Sequence, residues 1–145
     1  MEYLESTLDK SVEDIVELEK AVFDHYYGAD RIRDRLNGKK HWIYLVQDNG
    51  KPIAFKIWYE DSDGQIYSWL GGVHPDYRRR GIASRLMEIQ FDMARRQGYS
   101  KVKLKTHKGH PEMIALCKKR GFEFKGIHND HWRNELDAIY FEFEL

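Results

Sequence analysis

Residues Val73 to Ser84, VHPDYRRRGIAS, place three arginines and a glycine directly ahead of a segment with helical periodicity. The first turn of a helix carries unpaired backbone N–H groups and about half a positive charge, so a phosphate is its natural ligand. Gly81 and Ala83 are the small positions that keep those amides uncovered. Arg78, Arg79 and Arg80 add side-chain charge, Ile82 starts the apolar face, and Ser84 offers a hydroxyl. The alternative reading is that Gly81 only turns the chain and the arginines are solvated. The stretch is neither a Walker A loop, which needs GK[ST], nor the dinucleotide fingerprint G-x-G-x-x-G. Lys+Arg and Asp+Glu balance at 24 each, so any anion site must be local. The single cysteine, Cys117, rules out an intrachain disulfide and a zinc cluster built on several cysteines, and no metal site is expected. His74, His107 and His110 titrate in a useful range for proton transfer.

The elements that would position these residues read as follows. Tyr3 to Leu8 suits a short strand. Ser11 with Asp14 resembles a capping box for a helix from about Val12 to Phe23, and a second helix runs from Asp30 to Asn37, stopped by Gly38. HWIYLV, PIAFKIWYE and QIYSWLGGV form an antiparallel meander joined by the turns DNGK and DSDG. The pair Gly71-Gly72 suggests a bulge or a close approach of another backbone or ligand. Helical spacing then runs from Gly81 to Gln97, with Gly98 as its C-terminal glycine, and KVKLKT alternates as a strand. A strand, a helix and a strand imply a parallel pair. A further helix begins at Pro111 and ends before Gly121, and FEFKGIH and DAIYFEFEL close the chain. The fold class is mixed α/β. One domain over residues 1–145 suits this length, without repeat or linker.

Arg78-Arg79-Arg80-Gly81-Ile82-Ala83 resembles the [QR]-x-x-G-x-[GA] signature of the GNAT acetyltransferase superfamily. Its context is similar too: a strand ending GGVHP, the loop, a helix, a strand, and a helix ending LCKKRGF. The resemblance implies a mostly antiparallel sheet of six or seven strands flanked by about four helices, with a splayed parallel pair at the cofactor site. It implies acetyl-coenzyme A as co-substrate, its pyrophosphate held by backbone amides from Arg79 through Ser84. The strand end from Gly71 to Val73 would pair with the pantetheine arm, and the Val73 amide would stabilise the oxyanion formed at the thioester carbonyl. It also implies transfer of the acetyl group to a primary amine by direct attack in a ternary complex.

Two family positions differ. The asparagine near the start of the last helix corresponds to His110. The tyrosine four residues before the GF glycine, which commonly protonates the leaving thiolate, corresponds to Cys117. A thiol with an unperturbed pKa of about 8.5 could serve as general acid. Cys117 also lies three residues after Ile114 and four after Met113, the position of a buried structural cysteine. Water, Tyr67 or Tyr140 are the other donors. Making a lysine-type amine neutral at pH 7 takes roughly 4.6 kcal/mol, so a base is needed. The strand before the loop supplies only Tyr67, Ser68 and Trp69, so the candidates are Glu60 or Asp61 acting through water, and His74, His107 or His110. The acceptor pocket of the family forms between the early helices and the sheet, here FDHYYGADRIRDRL. Phe23, Tyr26 and Tyr27 would line it, and Asp24 or Asp30 would attract a cationic amine.

The acceptor is expected to be a small-molecule or peptide amine, and self-association as a homodimer is left open. Three adjacent arginines in a neutral domain give only a small footprint, so no nucleic-acid partner is expected. The N-terminus lacks signal-peptide features and the apolar runs are too short for a bilayer, so a cytoplasmic protein without membrane contact is expected. The competing hypothesis is a non-catalytic module that binds acyl-coenzyme A as a sensor or interaction domain.

Overall fold

A computed structural model describes residues 1–62, 64–129 and 137–145. Among them the order is β1 (Glu2–Ser6), α1 (Leu8–Val22), α2 (Ala29–Leu36), β2 (His41–Asp48), β3 (Lys51–Ser62) and β4 (Gln65–Val73). A 3₁₀ turn (Pro75–Tyr77) follows, then α3 (Ile82–Arg96), β5 (Lys101–His107), α4 (Pro111–Arg120), β6 (Glu123–Asn129) and β7 (Asp137–Glu144). The seven strands run in the order β1-β2-β3-β4-β5-β7-β6. Only β4 and β5 are joined by parallel pairing in the registers described, from Gln65 opposite Lys101 to Ser68 opposite Leu104. Sheet, helices and parallel pair agree with the expected fold class. In the expected DSDG turn, Asp63 lies outside the described residues.

Packing groups the residues into two compact units, Met1–Glu60 with Trp69–Gln90, and Asp61–Ser68 with Phe91–Leu145. In the first unit, α1 buries Val12, Ile15 and Leu18, and α2 buries Ile32 and Leu36. The hairpin of β2 and β3 turns at Asn49 (φ 50°) and Gly50 (φ 82°). Positive φ at both central residues matches the right-handed twist of the strands it joins, which is why Asn-Gly marks such hairpins. Val46, Ile53 and Ala54 of the hairpin form a buried cluster with Ile82 and Leu86 of α3. The second unit is held by Phe91, Phe122 and Phe143, whose ring centroids lie 4.6–5.7 Å apart.

Helix α1 starts one turn earlier than the capping box at Ser11 suggested. The N-cap is Thr7, whose hydroxyl accepts from the Lys10 amide at 3.4 Å. Ser11 lies inside the helix, buried, with its hydroxyl bonded to that of Ser6 at the end of β1. A non-local partner for Ser11 and an earlier Thr displaced the local signal.

Glu19 of α1 is fully buried. Its carboxylate accepts from the Tyr27 amide at 2.9 Å and the Gly28 amide at 3.2 Å, which fixes the turn between α1 and α2. Burial pushes its pKa above the ordinary carboxylate value, only partly opposed by those amides and by Arg31. The folded state therefore holds this proton more tightly than the unfolded chain. Its stabilising contribution is complete below the unfolded pKa and fades as pH rises through the folded one. Urea unfolding of the parent and of Glu19→Gln at pH 4 to 7 should show the difference shifting in the parent's favour as pH falls. A difference that is constant or moves the other way would contradict this role.

Candidate functional site

The strand β4 ends against the hairpin, where the His74 amide donates to the Ile53 carbonyl at 2.8 Å. His74 then caps the 3₁₀ turn, its Nδ1 accepting from the Asp76 amide at 3.1 Å, with Pro75 at the first position. The Arg78 amide closes this turn onto the Pro75 carbonyl at 3.5 Å. From there the chain changes direction through Arg79 at φ 64° and Gly81 at φ 77°. A non-glycine residue held in that region costs about 1–3 kcal/mol and marks a conformation imposed by its surroundings. The arginine triplet thus lies ahead of α3 and not within it.

The first amide of α3 to bond back belongs to Arg85, which donates to the Gly81 carbonyl at 3.0 Å. The amides of Ile82, Ala83 and Ser84 therefore precede the helical ladder. Ile82 is buried in the hairpin cluster and so pins the helix start. Gly81 is exposed, and a Cβ built on it would meet nothing within 4 Å. First-turn amides preceded by an exposed glycine and by the exposed Arg78, Arg79 and Arg80 suit a diphosphate by charge.

Gly71 and Gly72 sit where space is short. A Cβ on Gly71 would lie 3.2 Å from the Phe55 carbonyl oxygen, and one on Gly72 would lie 3.1 Å and 3.2 Å from the methyls of Val22. Trp69 meets Tyr27 and Arg35, and Gly72 meets Val22. Val73 then packs against the cluster under α3.

Gly71, Val73 and Arg78 through Ser84 fall in the first unit, as does Glu60 at its boundary. Glu60 is half-buried, its amide bonded to the Lys40 carbonyl at 2.9 Å. His110 and Cys117 belong to the second unit. There the Cys117 side chain is completely withdrawn from solvent. His110 precedes α4, and its carbonyl accepts from the Met113 and Ile114 amides. His107 is buried beside it, with ring centroids 6.2 Å apart. Asp61 is ion-paired with Lys103 at 2.7 Å. Tyr67 is half-buried and Tyr140 is 36% exposed, which leaves the latter hydroxyl-bearing ring at the surface.

The segment from Phe23 to Leu36 balances Asp24, Asp30 and Asp34 against Arg31, Arg33 and Arg35, and two of those arginines pack on its aromatic ring. Tyr27 meets Trp69 edge-on at 5.1 Å, and Arg31 and Arg35 lie over the Tyr27 ring at 5.2 and 5.9 Å. Arg35 also covers Trp69 at 4.8 Å and donates to the Tyr59 hydroxyl at 3.3 Å. Asp24 and Asp30 are exposed. Guanidinium groups, not carboxylates, are what these aromatic faces hold.

Residues 9–122 match the family model described as the acetyltransferase (GNAT) family. The chain belongs to this family. It is 26% identical over 95 residues to [ribosomal protein bS18]-alanine N-acetyltransferase of Escherichia coli strain K12; the match covers 66% of this chain and spans 64% of that relative's length. The crystal structure of the ribosomal-protein-S18-alanine N-acetyltransferase from Escherichia coli superposes with a TM-score of 0.86 at 20% identity, covering 99% of this chain and 94% of that one. Ard1 from Thermoplasma volcanium gives 0.85 at 22% identity over 99% and 97%. A GNAT family acetyltransferase from Elizabethkingia anophelis with acetyl-CoA bound gives 0.81 at 17% over 99% and 97%. At these identities the superpositions speak for the fold.

In this GNAT chain the glycine pair is a packing requirement of β4. Gly72→Val should force its branched side chain onto Val22 and lower stability by roughly 1–3 kcal/mol in urea unfolding. A loss within a few tenths would mean that α1 yields freely and that the close approach is not needed.

Proposed function

We propose that the protein is an acetyl-CoA-dependent N-acetyltransferase acting by direct attack of a primary amine on the bound thioester. The observation that carries this reading is the uncovered first turn of α3, in which the amides of Ile82, Ala83 and Ser84 precede the helical ladder behind an exposed Gly81. Those amides, with Arg79, Arg80 and Gly81, would hold the diphosphate, and Arg78 would add charge at the rim. The end of β4 from Gly71 to Val73 would receive the pantetheine arm as an added strand does.

In the reaction the amine nitrogen forms a bond to the carbonyl carbon, and the resulting oxyanion is stabilised by the Val73 amide. Collapse breaks the carbon–sulfur bond and releases coenzyme A, while the amine gives up a proton. Losing one oxyanion donor of this kind costs about 2.7–4 kcal/mol in other enzymes. Glu60, half-buried at the end of β3, would serve as the base through water. The burial of Cys117 supports a structural role over that of general acid. Water is the simplest proton source for the leaving thiolate.

The likeness to an enzyme named for an alanine of a ribosomal protein favours a peptide amine as acceptor. The cytoplasm is the compartment we assign; no helix among the described residues is long and apolar enough to cross a membrane. The reading takes residues 1–145 as one domain. A second reading, a module that binds acyl-CoA without turnover, draws on the replacement of the family's tyrosine by a buried cysteine.

Gly81→Glu puts bulk and negative charge against the diphosphate and should abolish coenzyme A binding in calorimetry, with the parent also releasing coenzyme A when given alanine-initiated peptides. Unchanged affinity in the variant would overturn the cradle. Binding without release across peptides, amino acids and polyamines would favour the module.

A further inference from the structure

The signature loop is held from outside the signature. Tyr77, in the 3₁₀ turn, donates its hydroxyl to Asp48 Oδ2 at 2.9 Å across 29 residues of sequence. Asp48 is the last residue of β2, next to the Asn49-Gly50 tip. The Tyr77 ring packs against the cluster of Val46, Ile53, Ala54, Ile82 and Leu86, the same cluster that pins the start of α3. On its other side the Arg80 guanidinium lies 4.9 Å from the ring centroid, with Nη2 3.5 Å from the Asp76 carbonyl. Hydrogen bonding to the Asp48 carboxylate pushes the Tyr77 hydroxyl above its ordinary pKa, which keeps it a donor throughout the physiological range. One side chain therefore ties together the hairpin, the turn before the triplet and the last arginine of the triplet.

We propose that Asp48 and Tyr77 are positioning residues for coenzyme A, bracing the segment from Arg78 to Gly81 so that the first-turn amides of α3 face the diphosphate before it arrives. This rests on the reading that the diphosphate binds there. A loop fixed in advance loses less conformational freedom on binding, so the brace appears as affinity. The left-handed Arg79 is the residue that most needs it, since the unbraced chain favours other conformations there.

The sign of one substitution separates this role from electrostatics. Asp48 is a negative charge near an anion site, so by charge alone its removal would tighten coenzyme A binding. The brace requires the opposite. Calorimetric titration of coenzyme A should show Asp48→Ala and Tyr77→Phe each weakening the affinity about tenfold, the scale of one hydrogen bond to a charged group. Asp48→Asn retains a carbonyl acceptor and should recover most of the loss. The double variant Tyr77→Phe with Asp48→Ala should be no weaker than either single one, because both remove the same bond. Unchanged or tighter binding in Asp48→Ala, no recovery in Asp48→Asn, or losses that multiply in the double variant would overturn the brace. Failure of the parent protein itself to bind coenzyme A would overturn the underlying reading of the site.

Discussion

The structure depends on backbone amides that a helix cannot satisfy by itself. Any helix leaves its first N–H groups without acceptors, and a protein ordinarily hides the fact with a capping side chain or water. Here α3 begins after an exposed glycine, which has no side chain to offer those amides, and three exposed arginines precede it. The remainder of the first unit keeps that helix start in place. Ile82 is buried under it, the hairpin of β2 and β3 supports it, and the chain reaches it through a turn with two left-handed residues. In the proposed reading, the diphosphate of coenzyme A would supply what the fold withholds.

Rigidity is concentrated accordingly. The turn from His74 to Gly81 has its own cap, its own proline, an aromatic anchor and a hydrogen bond to a distant strand. The α1–α2 turn is fixed differently, by a carboxylate buried in α1 that accepts two amides of the returning chain. Both are non-local solutions to the same problem, a loop that must hold one shape. The tight approach of α1 to β4 at Gly72 belongs with them, since it brings the helical layer close to the strand whose end would receive the cofactor arm.

What could be read from the sequence divides along the same line. The helix α3, its glycine C-terminus, the Asn-Gly hairpin and the arginine–glycine loop are local patterns, and each appears where its periodicity or turn chemistry put it. The glycine pair was legible as a place of close approach, although the partners, Phe55 and Val22, were not. The start of α1 was misread because Thr7 and Ser11 both carry capping hydroxyls, and only the packing of Ser11 against Ser6 decides between them. Glu19 gave no signal, being a polar residue within a helix whose burial depends on where the chain returns. Tyr77 and Asp48 gave none either, because a contact across 29 residues has no periodicity. In the early-helix segment the aromatic residues stood out, but the acidic ones drew attention when the arginines are what pack on the rings.

The most direct measurement is an amide-resolved nuclear magnetic resonance titration of the isotopically labelled protein with coenzyme A. The largest shifts should fall on the amides of Gly81, Ile82, Ala83 and Ser84. Perturbations that leave those four still while the ligand binds elsewhere would contradict it.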